Sequence, residues 1–188
     1  MKALFLDRDG VVNVDKGYVC APKDFEFVPG IFTLLRGAKD LGYLLLLVTN
    51  QSGIGRGFYG LKDFENLNAY MQATLQENLG FGLDKIYFCP HVPQENCACR
   101  KPKTGMLEQA LQDYPINLAK SVLVGDKLSD VAFGLKGGIG TNLLFTQAMP
   151  KEALETPPIA SISCLKQALD FLTPHIKDCH VHPKHPRE

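Results

Sequence analysis

The stretch Phe5-Leu6-Asp7-Arg8-Asp9-Gly10-Val11-Val12-Asn13, entered through the apolar residues Ala3 to Leu6, decides how this chain is read. A short apolar run that stops at a carboxylate reads as a buried strand whose end opens on a polar site. Three further runs stop in the same way: Leu44 to Val48 before Thr49-Asn50, Ile86 to Phe88 before Cys89-Pro90-His91, and Val122 to Val124 before Gly125-Asp126. A fifth strand is read at Asn142 to Phe145. Helical character falls between them, over Ile31 to Leu41, Leu61 to Leu79, Gly105 to Asp113 and Lys127 to Lys136. Strands alternating with helices predict an α/β fold, a parallel sheet with helices on both faces. In open sheets of this kind ligands lie beyond the carboxyl ends of the strands, where all four polar clusters fall.

The rest of the chain narrows the function. At 188 residues, with 45% hydrophobic and 21% charged side chains, it reads as one globular domain. Twenty Lys and Arg balance twenty Asp and Glu, so neither a nucleic-acid partner nor an anionic membrane is expected. The longest wholly apolar run, Leu44 to Val48, is far short of a membrane span, and Asp7, Arg8 and Asp9 stand where a signal peptide needs its apolar segment. A cytoplasmic protein is expected, and the six cysteines are read as thiols or metal ligands. There is no P-loop pattern and no GxGxxG. Residues 1–146 form the expected domain, with a loop inserted at 89–99, and 147–173 a linker and last helix of that domain. Met149 to Pro158 carries three prolines, and 174–188 reads as a mobile tail whose His175, Cys179, His180, His182 and His185 are taken as inert.

Asp7 and Asp9 are two residues apart, so in an extended chain their carboxylates share a face and Arg8 points away. Two crowded carboxylates call for a hard cation such as Mg²⁺, and Asp126 at another strand end offers a third oxygen. The plainer alternative is a helix cap or a solvated turn. Asp130 is read either as supporting this site from behind or as exposed. Thr49, Asn50 and the glycine-rich Gln51 to Gly57 offer hydroxyl, amide and backbone donors suited to phosphate oxygens, although such a segment is commonly only a turn. Arg100-Lys101 adds a fork and a point charge. Cys89, His91, Cys97 and Cys99 present four zinc ligands within eleven residues. A site closed by four protein ligands is structural, and this one would fix the direction of Arg100 and Lys101. Free thiols or a redox pair are the alternatives. Phe25, Phe27, Phe58 and Phe64 are read as core or pocket walls, and Cys20 and Cys164 as ordinary small residues.

Taken together, FLDRDGVVN (5–13), VTNQSGIGRG (48–57), CRKPKTGM (99–106) and VGDKLSD (124–130) resemble the haloacid dehalogenase-type phosphatases, with a Rossmann-like sheet. The CPH…CxCRKP insertion and DKGYV at 15–19 are most similar to the D-glycero-D-manno-heptose 1,7-bisphosphate phosphatases, and histidinol-phosphate phosphatases are the alternative. The resemblance covers residues 1–146. It implies a phosphoric monoester hydrolase acting on a small phosphorylated sugar, with loss of the C7 phosphate, in the supply of heptose for lipopolysaccharide; a monomer is expected. It also implies Asp7 as nucleophile and Asp9 as general acid and then base. Mg²⁺ is implied on Asp7, the Asp9 carbonyl and Asp126, with the phosphoryl group on Thr49 and Lys101. Substrate contacts are implied at Asp15, Lys16, Gly17, Tyr18, Asn50, Gln51, Ser52, Arg100 and Lys127. The zinc loop is short, with Val92 to Asn96 between its ligands, which leaves the anomer open.

Overall fold

A computed structural model of the chain describes residues 1–146 and 159–173. Its strands are β1 (Lys2–Leu6), β2 (Tyr43–Asn50), β3 (Lys85–Cys89), β4 (Val122–Gly125), β5 (Thr141–Phe145) and β6 (Ile159–Ile162). All pair in parallel in one sheet, in the order β3-β2-β1-β4-β5-β6. The chain winds outward from β1 through β2 to β3, then returns to lay β4 on the other side of β1. The crevice between the ends of β1 and β4 is therefore the switch point at which an open sheet can take a ligand.

The helices are α1 (Ile31–Asp40), α2 (Ser52–Gly55), α3 (Leu61–Leu79), α4 (Gly105–Asp113), α5 (Leu128–Gly137) and α6 (Ala168–Leu172). Each strand's alternation divides the core in two. Leu4, Leu6, Leu45, Leu47, Val122 and Val124 pack on one face with Ile31, Leu34, Leu35 and Ala38 of α1, Leu67, Met71 and Leu75 of α3, and Ala168 and Leu172 of α6. Ala3, Phe5, Leu44, Leu46, Val48 and Leu123 pack on the other with Met106, Leu107 and Ala110 of α4 and Phe133 of α5. The apolar positions of α1 recur at i, i+3, i+4 and i+7, which gives the helix its single buried stripe. The longest helix, α3, starts where the Asp63 carboxylate accepts the Gly60 N–H at 2.8 Å and stops at Gly80, whose φ of 78° is one that glycine adopts without strain.

The expected fold stands, with differences at its margins. A sixth strand, β6, follows the proline-bearing segment and extends the sheet beyond β5. Thr49 and Asn50 belong to β2 itself, because Asn50 pairs with Cys89 of β3. The last helix, expected within 147–173, is a single 3₁₀ turn at Leu165–Gln167 followed by α6. Met149 to Pro158 and the tail 174–188, including His175, Cys179, His180, His182 and His185, lie outside the described residues. Phe25 and Phe64 are buried, whereas Phe58 is 60% exposed and no core residue, since it sits on the loop after α2 with its ring edge-on to Tyr18, 4.7 Å between centroids, and away from the sheet.

Candidate active site

Asp7 follows β1 directly, anchored by its N–H to the Val124 carbonyl of β4 at 3.1 Å. The extended geometry assumed for Asp7-Arg8-Asp9 ends at Leu6. The N–H groups of Val11, Val12 and Asn13 all turn back to the Arg8 carbonyl, and Gly10 closes the turn at φ 92°. Arg8 therefore does not point away. Its guanidinium is fully buried, and Nη2 lies 3.1 Å from both Asp9 oxygens and donates to the Val19 carbonyl at 2.8 Å. Asp9 also accepts from Asn13 at 3.1 Å and from Gln51 Nε2 at 2.9 Å. A Cβ at position 10 would collide with the Asp126 carboxylate, so the glycine that makes the turn also lets β4's acid approach it.

Lys101 enters from the loop before α4 with 3% of its surface exposed. Its ammonium lies 3.0 Å from Asp7 Oδ1 and 2.7 Å from Asp130 Oδ1, and it donates to the Val48 carbonyl at 2.7 Å. The Asp130 contact is ionic, outside hydrogen-bond alignment. Burial alone would lower the lysine, but Asp7 and Asp130 outweigh it and hold its ammonium above the ordinary value. Burial raises the Asp7 carboxyl, and Lys101 opposes this only in part. Burial also pushes Asp126 up to about 7, with Asp7 and Asp130 adding their repulsion.

The carboxyl oxygens of Asp7, Asp126 and Asp130 lie within 4.8 Å of one another, and Asp126 Oδ1 is buried without a partner. Three carboxylates around one buried ammonium leave two negative charges, which a divalent, oxygen-seeking ion would balance. The donor set fits Mg²⁺. Asp130, open between two readings in the sequence, is 1% exposed and grips Lys101.

The second cluster is equally well formed. Cys89 Sγ lies 3.5 Å from Cys97 Sγ and 3.6 Å from His91 Nδ1. Cys99 Sγ lies 3.5 Å from Cys97 Sγ and 3.3 Å from His91 Nδ1. Four ligands at about 2.0–2.3 Å from a tetrahedral zinc would stand roughly 3.5–3.8 Å apart. The four contacts, 3.3–3.6 Å, are close to the edges of such a tetrahedron, and all four ligand atoms lie within 4.8 Å of one another. Among the described residues no cysteine is in a disulfide. Arg100, next in the chain, donates to the His91 carbonyl at 3.3 Å, so the cluster sets its direction.

A cavity of about 300 Å³ opens over Asp7, lined among others by Asp9, Asp15, Gly17, Tyr18, Thr49, Asn50, Gln51, Ser52, Arg100, Lys101 and Lys127. Every residue named from the sequence for the phosphoryl group or the substrate lies there except Lys16, whose ammonium pairs with Glu26 at 2.9 Å. It turns away because Gly17 and Tyr18, both at positive φ, bend the segment so that their own faces meet the cavity. Lys127 is held by Asp15 at 3.2 Å and lies 3.5 Å from Asp126. Two amides have more specific places than the sequence gave them. Asn50 accepts the Lys101 N–H at 3.0 Å and donates to its carbonyl at 3.3 Å, clamping that backbone to β2. Gln51 is occupied by Asp9, Thr49 and Tyr59. The sequence did not single out Tyr59 or Ser129, and it placed Arg8 on the wrong side; no local pattern marks them, since each reaches the site through a turn.

Comparison with known proteins leads to one class, the haloacid dehalogenase-type hydrolases: a family model described as "HAD-hyrolase-like" matches residues 98–170. Over 173 residues the chain is 54% identical to the D-glycero-beta-D-manno-heptose-1,7-bisphosphate 7-phosphatase of Helicobacter pylori (strain J99), covering 91% of this chain and 97% of the relative. It is 45% identical to the D-glycero-alpha-D-manno-heptose-1,7-bisphosphate 7-phosphatase of Campylobacter jejuni, over 90% of this chain and 95% of that protein. The solved D,D-heptose 1,7-bisphosphate phosphatase of B. bronchiseptica, complexed with magnesium and phosphate, superposes with a TM-score of 0.81 at 30% identity, over 92% of this chain and 98% of that one. The chain belongs to the D-glycero-D-manno-heptose-1,7-bisphosphate 7-phosphatase family.

Proposed function

We propose that this protein hydrolyses the C7 phosphate of D-glycero-β-D-manno-heptose 1,7-bisphosphate through an aspartyl-phosphate on Asp7. The observation that carries the proposal is the buried assembly of Asp7, Lys101, Asp126 and Asp130 at the switch point, in a chain of this family. A carboxylate oxygen of Asp7 attacks phosphorus as the bond to the C7 oxygen breaks, and Asp9 gives that oxygen its proton. Asp9, now ionised, takes a proton from water as the water displaces Asp7 from phosphorus. Lys101 and the Thr49 hydroxyl hold the equatorial oxygens through both steps, where charge spreads and positioning supplies most of the acceleration. Mg²⁺, held by Asp7, the Asp9 carbonyl and Asp126, would supply neutralisation of that charge.

The second phosphate needs its own cations, and Arg100 and Lys127, both lining the cavity, would supply them once Lys101 is assigned to the transferring group, with Lys127 shared between that phosphate and Asp15. Asp15, Gly17, Tyr18 and Ser52 complete the substrate wall, and zinc on Cys89, His91, Cys97 and Cys99 stiffens the loop that presents Arg100. The β anomer is favoured by the higher identity to the Helicobacter relative. The proposal places the protein in the cytoplasm as a monomer serving lipopolysaccharide heptose supply; no helix among the described residues is long and apolar enough to cross a membrane. The test is Mg²⁺-dependent phosphate release from both heptose bisphosphate anomers, the monophosphates, histidinol phosphate and an oligonucleotide 3′-phosphate. The β-bisphosphate should show the highest kcat/KM. Preference for histidinol phosphate would overturn the substrate, and no release from any ester would overturn the reaction.

A further inference from the structure

Gln51 follows β2 with 2% of its surface exposed, and its amide is the only link among the described residues between the side chains of Asp9 and Thr49. Nε2 donates one hydrogen to Asp9 Oδ2 at 2.9 Å and the other to Thr49 Oγ1 at 2.8 Å. The other end, Oε1, accepts the phenolic O–H of Tyr59 at 2.6 Å. An amide has two ends of nearly equal shape, so the partner at one end decides which group the other presents. We propose that Tyr59 is a positioning residue, which sets Asp9 and Thr49 for phosphoryl transfer by fixing the orientation of the Gln51 amide.

The argument has three parts. Tyr59 is 8% exposed, and burial pushes its phenol up to about 12, so it remains a donor at neutral pH and Oε1 is the end it requires. With Oε1 so engaged, Nε2 must face the site. The reversed amide would face Asp9 with a carbonyl oxygen, which repels the ionised carboxylate and, against the protonated acid, would take the hydrogen that the leaving oxygen needs. Because Thr49 Oγ1 already accepts from Nε2, its own hydrogen is left to point at the phosphoryl group. Finally, Tyr59 has a made seat: any side chain at Gly53 would collide with its ring, so the glycine of the TNQSG segment is needed to bring the phenol to Gln51.

This inference rests on the reading of Asp9 as the acid and Thr49 as a phosphoryl ligand. Its test is Tyr59→Phe, which keeps the ring and removes only the hydroxyl. The substrates are the heptose bisphosphate, whose alkoxide must be protonated as it leaves, and p-nitrophenyl phosphate, whose aryl oxide leaves without help. We expect kcat/KM for the heptose ester to fall about tenfold or more, carried by kcat with KM nearly unchanged, and the aryl ester, which feels the Thr49 contact but not the acid, to lose no more than about threefold. Tyr59→Phe placed in a Gln51→Ala background should add no further loss, because the phenol acts only through that amide. Equal losses on both substrates, no loss at all, or an additive loss in the double variant would overturn the inference. Wild-type protein that releases no phosphate would overturn the functional reading, and this inference with it.

Discussion

Replacing Asp130 by alanine removes one of two carboxylates from a buried ammonium. The side chains of Asp130 and Lys101 are each 1% exposed and 2.7 Å apart, but both border the cavity over Asp7, so the space the carboxylate leaves is open to water from that side. Breaking a buried pair from one side costs about 3–5 kcal/mol when the remaining charge is left unpaired; here Asp7 and the Val48 carbonyl still face the ammonium and the repulsion of Asp130 on Asp7 and Asp126 is relieved, so about 2 kcal/mol is expected. The other Asp130 oxygen accepts the Lys127 N–H at 3.0 Å at the start of α5, and losing that bond adds about 1 kcal/mol. The expected cost is about 3 kcal/mol, a fall in Tm of roughly 6–12 °C for a chain of this size. Urea unfolding should show a lower midpoint at unchanged slope. Asp130→Asn, which keeps the acceptor oxygen and the shape but loses the charge, should fall between the two. An Asp130→Ala protein within about 1 kcal/mol of wild type would refute the reasoning, since it would mean that Asp7 alone satisfies the buried lysine.

Asp7→Asn should lower turnover by several orders of magnitude with the fold intact, and single-turnover kinetics should show no covalent phosphoryl-enzyme; near-normal turnover would end the aspartyl-phosphate mechanism. Because burial holds Asp126 near 7 in the metal-free protein, Mg²⁺ binding must displace a proton below that pH. Apparent affinity should weaken by nearly tenfold per unit below about 7 and level off above it. Calorimetry in buffers of different ionisation enthalpy reads the proton, and a pH-independent affinity without proton release would contradict the carboxylate cluster as the site. Cys97→Ser should lower zinc content from one per chain and loosen the segment carrying Arg100, seen as faster amide exchange there. An active, fully folded preparation free of zinc would remove the metal from the account. Arg100→Ala should narrow the ratio of kcat/KM between bisphosphate and monophosphate, and an unchanged ratio would free Arg100 from the second phosphate.

The sequence alone determined the sheet's centre and the chemistry at its strand ends. Apolar runs of three to five residues leading to Asp7, Thr49 and Asp126 carry their meaning locally, because a strand buried on both faces must be apolar throughout and can turn polar only where it leaves the sheet. The cluster of Cys89, His91, Cys97 and Cys99 is legible for the same reason: its spacing is short enough for one loop to close a tetrahedron by itself. Tertiary structure decided what depends on a distant neighbour. β6 forms because β5 offers it an open edge, with Asn142 set against Ile159, and nothing in four residues after a proline-rich stretch announces that partner. Arg8 turns inward because the chain leaves extended geometry after Leu6, which places the guanidinium against Asp9 rather than opposite it. Asp130 serves Lys101 from 29 residues away along the chain, and Tyr59 reaches Asp9 only by way of Gln51. Period and spacing report which face of an element is buried; which charges share that burial is settled only when the strands stand side by side.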